Sequence, residues 1–181
     1  MGKRKCIFYI CAVFLLVSCQ KSNKDVLSTL SGESGFTYNQ SYDRWKELKN
    51  VKGNSYTYVI TFMSSTGYGN STELKVLCDT VVERNFEAFH INDTSGVKEV
   101  YESFHEGVEN IGIHDLGADP FTVDELYNTC ANRYLDVDKE KYTLYFNTGC
   151  DGIINECGFV ANGCEDDCFR GFQLSFFEWI E

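Results

Sequence analysis

Ser55-Tyr56-Thr57-Tyr58-Val59-Ile60-Thr61-Phe62-Met63 is the stretch that decides the fold. Between its end residues every side chain is β-branched or aromatic, the types that fit a pleated, half-buried surface. Alternation along a strand sends Tyr56, Tyr58, Ile60 and Phe62 to one face. Thr57, Val59, Thr61 and Met63 go to the other. The aromatic stripe reads first as a buried core face, with a ligand-binding face as the alternative. Downstream, Ser64–Thr72 reads as a Gly/Ser/Thr/Asn loop. Glu73–Cys78 and Val81–Ile91 read as two more strands joined through Asp79-Thr80, so the three form an antiparallel meander. Upstream, Tyr42, Trp45 and Leu48 recur at helical spacing and share a face; Gly53-Asn54 ends that helix.

Beyond the meander, Asn92–Gly96 is a loop. Val97, Tyr101, Phe104 and Val108 then alternate with Glu99, Glu102, Glu106 and Glu109 at helix-like spacing. This predicts an amphipathic helix with an acidic outer face. A better-marked helix follows Pro120: Thr122 is placed as N-cap, Glu125 closes a capping box, and Phe121 and Leu126 form a staple. Its apolar face is Val123, Leu126, Tyr127, Cys130 and Tyr134, and Asp136–Glu140 ends it. Tyr142–Asn147, Ile153–Val160 and Gly171–Trp179 read as the last strands. Strands, then helices, then strands predict a single α+β domain over residues 37–181. It would hold a mostly antiparallel sheet of about six strands and two or three helices, stapled by disulfides.

A chain of 181 residues is long enough for one real core. Its 14 Phe and 11 Tyr argue against disorder, and its single Pro against a Pro-rich linker. A net charge of −11 excludes a nucleic-acid partner, which needs clustered Lys and Arg.

The chain opens Met1-Gly2-Lys3-Arg4-Lys5, and an apolar run follows from Cys6 to Val17. The run is shorter than the roughly 20 residues that span a bilayer, so residues 1–18 read as a signal peptide. It ends Leu16-Val17-Ser18-Cys19, which resembles the lipobox of bacterial lipoproteins. That resemblance implies cleavage before Cys19, a lipid on Cys19, and a protein anchored to the cell envelope, facing the periplasm or the exterior. The alternative is an ordinary signal peptide and a soluble secreted protein; in a eukaryotic host Asn39, Asn70 and Asn92 would be glycan acceptors. Loss of Lys3, Arg4 and Lys5 takes the formal charge from −11 to −14. Residues 19–36, polar with a few Leu and Val, read as a flexible tether.

Cys6 and Cys11 leave with the signal. The remaining Cys78, Cys130, Cys150, Cys157, Cys164 and Cys168 are an even set in an exported chain and suggest three disulfides. Cys78 with Cys130 is the preferred first pair, leaving the other four to pair among themselves. Zinc is the competing reading, but the spacing lacks paired CxxC knuckles and no His lies between the last four.

Catalytic motifs are absent: there is no Gly-x-Ser-x-Gly elbow, no phosphate-binding Gly loop, and His105-Glu106 has no second His to complete a zincin motif. His105 and His114, among Glu102, Glu106, Glu109, Asp115 and Asp119, are one candidate metal cluster. Asp136-x-Asp138-x-Glu140 starts like a calcium loop, but Lys141 stands where Gly is required. Asp151 with Glu165, Asp166 and Asp167 is the better candidate for Ca²⁺, if the cysteine loops gather them; otherwise no cofactor is expected.

Trp45, the Tyr56-Thr57-Tyr58 strand and the Thr122-Val123-Asp124-Glu125-Leu126 helix start, followed by a Tyr-rich strand, a Gly turn and two closing strands, resemble an uncharacterised family of small exported bacterial proteins, often lipoproteins. The resemblance spans residues 42–180. This chain departs from it at Asn92–Asp119 and in its six cysteines. It implies fold and location and brings no catalytic residues. The expected function is therefore a non-enzymatic binding module of the envelope, held at the membrane by a lipid on Cys19, with a protein or glycan partner. The alternatives are a Ca²⁺-dependent carbohydrate-binding module or hydrolase, and a secreted enzyme inhibitor presenting the Cys164–Cys168 loop.

Overall fold

Tyr56–Met63 is a strand, β1, in the structure, a computed structural model that describes residues 22–180. Residues 1–18 and Cys19 lie outside the described residues. In chain order the elements are α1 (Ser22–Thr29), α2 (Tyr38–Lys52), β1, β2 (Tyr68–Leu77), β3 (Thr80–Ile91), β4 (Lys98–Gly107), α3 (Val123–Thr129), a π turn (Cys130–Tyr134), β5 (Tyr142–Thr148), β6 (Ile154–Ala161) and β7 (Arg170–Trp179). The fold is α+β. One sheet has seven strands in the order β4-β3-β2-β1-β7-β6-β5, and every neighbouring pair is antiparallel. Two meanders, β1–β4 and β5–β7, thus meet where β7 pairs with β1.

The predicted stripe faces the core. Tyr56 and Tyr58 are fully buried, Ile60 partly so, and Phe62 is exposed at the strand's far end. The helices lie on this face. Trp45 of α2 is fully buried between Tyr56, Phe177 and Trp179, with ring centroids 5.3, 5.9 and 5.3 Å away. A core so rich in tyrosine must satisfy its hydroxyls, because a buried unpaired polar group costs about 1–3 kcal/mol. Tyr56 Oη accepts from Val123 N at 3.0 Å, Tyr38 Oη donates to Tyr127 O at 3.0 Å, and Tyr127 Oη accepts from Ile154 N at 3.0 Å. Burial, with Tyr42 nearby, pushes the Tyr38 hydroxyl up to about 12.

Both long-range helices begin with capping boxes. Thr122 and Glu125 form the predicted one; Thr37 and Gln40 form another, so α2 starts a turn earlier than Tyr42. Gly53, at φ +93°, ends α2 as expected. The β2–β3 hairpin turns on Cys78 and Asp79, both left-handed at φ 50° and 61°, as tight two-residue hairpins require. β2 starts at Tyr68, inside the segment read as a loop.

Three expectations are corrected. The helix expected over Val97–Val108 is strand β4, paired to β3 from Glu83–Gly107 to Ile91–Lys98. A bulge between Ala88 and Phe89 shifts the register, so Ala88 faces Glu102 but Phe89 faces Val100. The extra residue, Tyr101, thereby joins Phe104 on the core-side face: its ring lies 6.4 Å from Tyr68, while Phe104 stacks on Phe86 at 4.9 Å. An irregular strand has thus produced a three-residue apolar spacing. The tether expected over residues 19–36 is, in its described part, helix α1 with Val26 buried in the core, followed by a bridge between Ser31 and Thr37. The preferred Cys78–Cys130 pair does not form. Cys130 bonds Cys157 and Cys164 bonds Cys168, while Cys78 and Cys150 are exposed thiols. The reason is position: Cys78 sits at a hairpin tip, whereas Cys130, on the π turn, lies buried over β6.

Between β4 and α3 the chain has no regular structure yet is firmly held. Arg84 and Glu106, opposite each other on β3 and β4, are buried and paired at 3.0 Å. Glu106 also accepts from Gly112 N at 2.6 Å, His114 N at 2.9 Å and His114 Nδ1 at 2.8 Å. Arg84 donates to Ala118 O at 2.8 Å, His114 O at 3.3 Å, and Leu116 O. Gly117, at φ +81°, rests on Phe86 and Thr72, where a Cβ would come within 2.6 Å of both side chains. The ion pair therefore pins residues 108–121 over the core-side face of β2–β4. Burial alone would push the Glu106 carboxyl up; the backbone donors of Gly112 and His114, the His114 ring and Arg84 outweigh it and hold it down at about 2.

Candidate functional site

A cleft of about 810 Å³ opens on the core side of the sheet, at the end away from α2. The π turn brings Arg133 and Tyr134, β5 and β6 bring Tyr142 and Phe159, and the Cys164–Cys168 loop brings Asp166 and Asp167. The three rings form one group. Tyr142 meets Phe159 edge-on at 4.9 Å, and Tyr134 lies 6.4 Å from Phe159. The Arg133 guanidinium sits 5.6 Å from the Tyr134 ring centroid. Arg170, at the start of β7, adds a second cation to the wall. The disulfide holds the acidic loop, and Ser65 Oγ donates to Asp166 Oδ1 at 3.2 Å, tying the loop to the β1–β2 turn.

A second cleft, about 260 Å³, adjoins the first and shares Tyr134 and Gly171 with it. It runs past Phe62 and Asn70 to Asp119 on the pinned segment. The helices cover the Trp45 end of this face, while the other end remains a shallow trough of rings and polar groups. Gly171 lets β7 lie close against β6: a Cβ there would come 2.1 Å from Cys157 O.

The sequence-based candidates are only partly brought together. Asp166 and Asp167 line the main cleft, and Glu165 lies in a neighbouring hollow. Asp151 sits in the β5–β6 turn, beside a different cavity. β6 runs between Asp151 and the Glu165–Asp167 group, so the four carboxylates do not converge. Among the described residues no three His, Cys, Asp or Glu side chains are placed to hold a metal ion. His105 and His114 are also separated. His105 Nδ1 meets Asn85 Oδ1 at 2.6 Å, and His114 is engaged by Glu106. Residues 105 and 106 are neighbours on one strand, so the two histidines are held from opposite faces of the sheet.

Sequence reasoning missed the aromatic and arginine side of the cleft. The sequence places Tyr142 on a strand and Tyr134 on the apolar face of a helix, and nothing in either pattern joins the two. Only the sheet order, which sets β5 and β6 beside β7, brings them to one wall with Arg133 and Arg170. No helix among the described residues is long and apolar enough to cross a membrane. Comparison with protein-family models, curated proteins and solved structures gives no match for this chain.

Proposed function

We propose that this chain is an exported binding module of the cell envelope, anchored by a lipid on Cys19, with its ligand site in the cleft beside the Cys164–Cys168 loop. Export is supported by the basic start, the short apolar run and the lipobox-like Leu16-Val17-Ser18-Cys19, and by two disulfides in the folded part. The resemblance to small exported bacterial proteins points the same way. The observation that carries the ligand site is the lining of the cleft: rings of Tyr134, Tyr142 and Phe159 beside Arg133, Arg170, Asp166 and Asp167.

That lining favours a glycan as the partner. Sugar rings present apolar C–H faces that pack on aromatic rings, and hydroxyls that bond carboxylate and guanidinium groups. A formal charge of −14 on the exported chain, set by loss of the three leader cations, disfavours polyanionic glycans. The ligand class is therefore a neutral or amino-substituted oligosaccharide.

The test is a glycan array probed with the labelled chain from residue 20 onward, followed by calorimetry on the best binder. Tyr142→Ala is expected to weaken binding about tenfold, the equivalent of one lost ring contact, with the thermal midpoint nearly unchanged. An array with no binder, or a binder indifferent to Tyr142→Ala, contradicts the assignment of this cleft.

A further inference from the structure

We propose that an extended basic peptide adds as a strand to the open edge of β7, in the slot where β6 diverges from it. This site lies further along β7 than the glycan cleft, shares no lining residue with it and does not depend on it.

The β6–β7 ladder runs from Phe159–Arg170 to Glu156–Gln173 and stops there. From Leu174 to Trp179, β7 is laddered only to β1. β6 is drawn away because Ile154 pairs with Thr148 of β5 and its N–H donates to the Tyr127 hydroxyl at 3.0 Å. In an antiparallel strand alternate residues direct N–H and C=O to opposite sides. Half of those in Leu174–Trp179 therefore face the slot instead of β1. The slot holds about 340 Å³ between Cys150 and Asn155 on one side and Leu174 and Phe176 on the other. A further hollow of about 350 Å³ continues from it through Asn155 and Ser175.

The second observation is independent of the ladder. Asn155 Oδ1 is buried without a hydrogen-bond partner, and among the described residues it is the one buried side-chain polar atom in that state. Asn155 lines both hollows. A buried acceptor lacking a donor destabilises the free protein, and a peptide N–H entering the slot supplies that donor. Strand addition is the mode in which a partner's main chain satisfies such an edge while alternate side chains settle into flanking pockets. Phe176 and Met63, each 47% exposed, offer apolar contact on this face. Asp151 and Glu156 line the two hollows and Glu178 follows on β7, which makes a basic peptide the complementary partner.

The experiment is panning of a phage-displayed random decapeptide library on the chain from residue 20 onward, with binders resynthesised as free peptides. The expected binders are rich in Lys or Arg alternating with apolar residues. They should slow amide exchange at Ser175–Phe177 and lose at least tenfold in affinity against Asn155→Leu. That variant removes the orphan acceptor and so keeps the fold. N-methylation of alternate peptide nitrogens should abolish binding, because it removes strand hydrogen bonds and leaves the charge. The proposal is overturned by a library without binders, by binders that tolerate Asn155→Leu or N-methylation, or by exchange protection confined to the Cys164–Cys168 cleft.

Discussion

Arg84→Ala is expected to lose about 3–5 kcal/mol of folding stability, the cost of stranding a buried charge without its partner. Arg84 and Glu106 expose 2% and 0% of their side chains, so neither finds water when the other is removed. The loss will be spread over the segment the pair pins. Amide exchange at Gly112 and His114, whose N–H groups donate to Glu106, should accelerate far more than exchange in β1 or β7. Glu106→Gln keeps the shape and isolates the charge. Because the folded carboxyl is held at about 2 against an ordinary 4.5, its contribution is complete above about pH 4.5 and is lost as pH falls through about 2. Urea melts of the wild type should therefore weaken across that window relative to Glu106→Gln. Parallel pH profiles for the two proteins, or an Arg84→Ala protein as stable as wild type, would show that the pair does not hold the segment.

The second large effect is at Trp45. Its ring stacks on Trp179 at 15° and meets Tyr56 and Phe177 nearly edge-on, while Nε1 donates to Asp124 Oδ1 at 3.1 Å. One side chain thus joins α2 to β1, β7 and the start of α3. Trp45→Ala removes a fully buried indole and leaves a cavity among rings that cannot collapse onto it, so about 3–5 kcal/mol should be lost. Trp45→Phe keeps most of the ring contacts and loses only the Asp124 bond and part of the volume, and it should lose well under half as much. Lys49 limits the damage at Asp124, since its Nζ lies 2.8 Å from Asp124 Oδ2. Equal destabilisation by Ala and Phe in chemical denaturation would mean that the hydrogen bond, and not packing, dominates.

Local rules made much of this fold legible. Tyr56–Met63 alternates cleanly because its neighbours β2 and β7 flank it on both sides and the helices cover one face. Thr122–Glu125 was readable because a capping box is a contact within four residues. β4 was misread for a definite reason: it is an edge strand, one bulge resets its alternation, and its exposed Glu99 and Glu102, with the buried Glu106, recur at the spacing of a helix's polar face. The Val26 helix was read as a tether because so short a segment is stabilised by the core it packs on and carries little signal of its own. Disulfide partners are set by the sheet order, which places Cys157 under the π turn and leaves Cys78 at a hairpin tip. The acidic half of the cleft was visible in the Cys164–Cys168 run, whereas its aromatic half is assembled from strands far apart in sequence.

The claim that this is an exported, disulfide-stapled module is tested most directly by an intact mass and a non-reducing peptide map of the protein purified from its native source. The expected result is a chain beginning at an acylated Cys19, with Cys130 linked to Cys157, Cys164 linked to Cys168, and Cys78 and Cys150 recovered as thiols. A chain that keeps residues 1–18 and carries every cysteine reduced would contradict it.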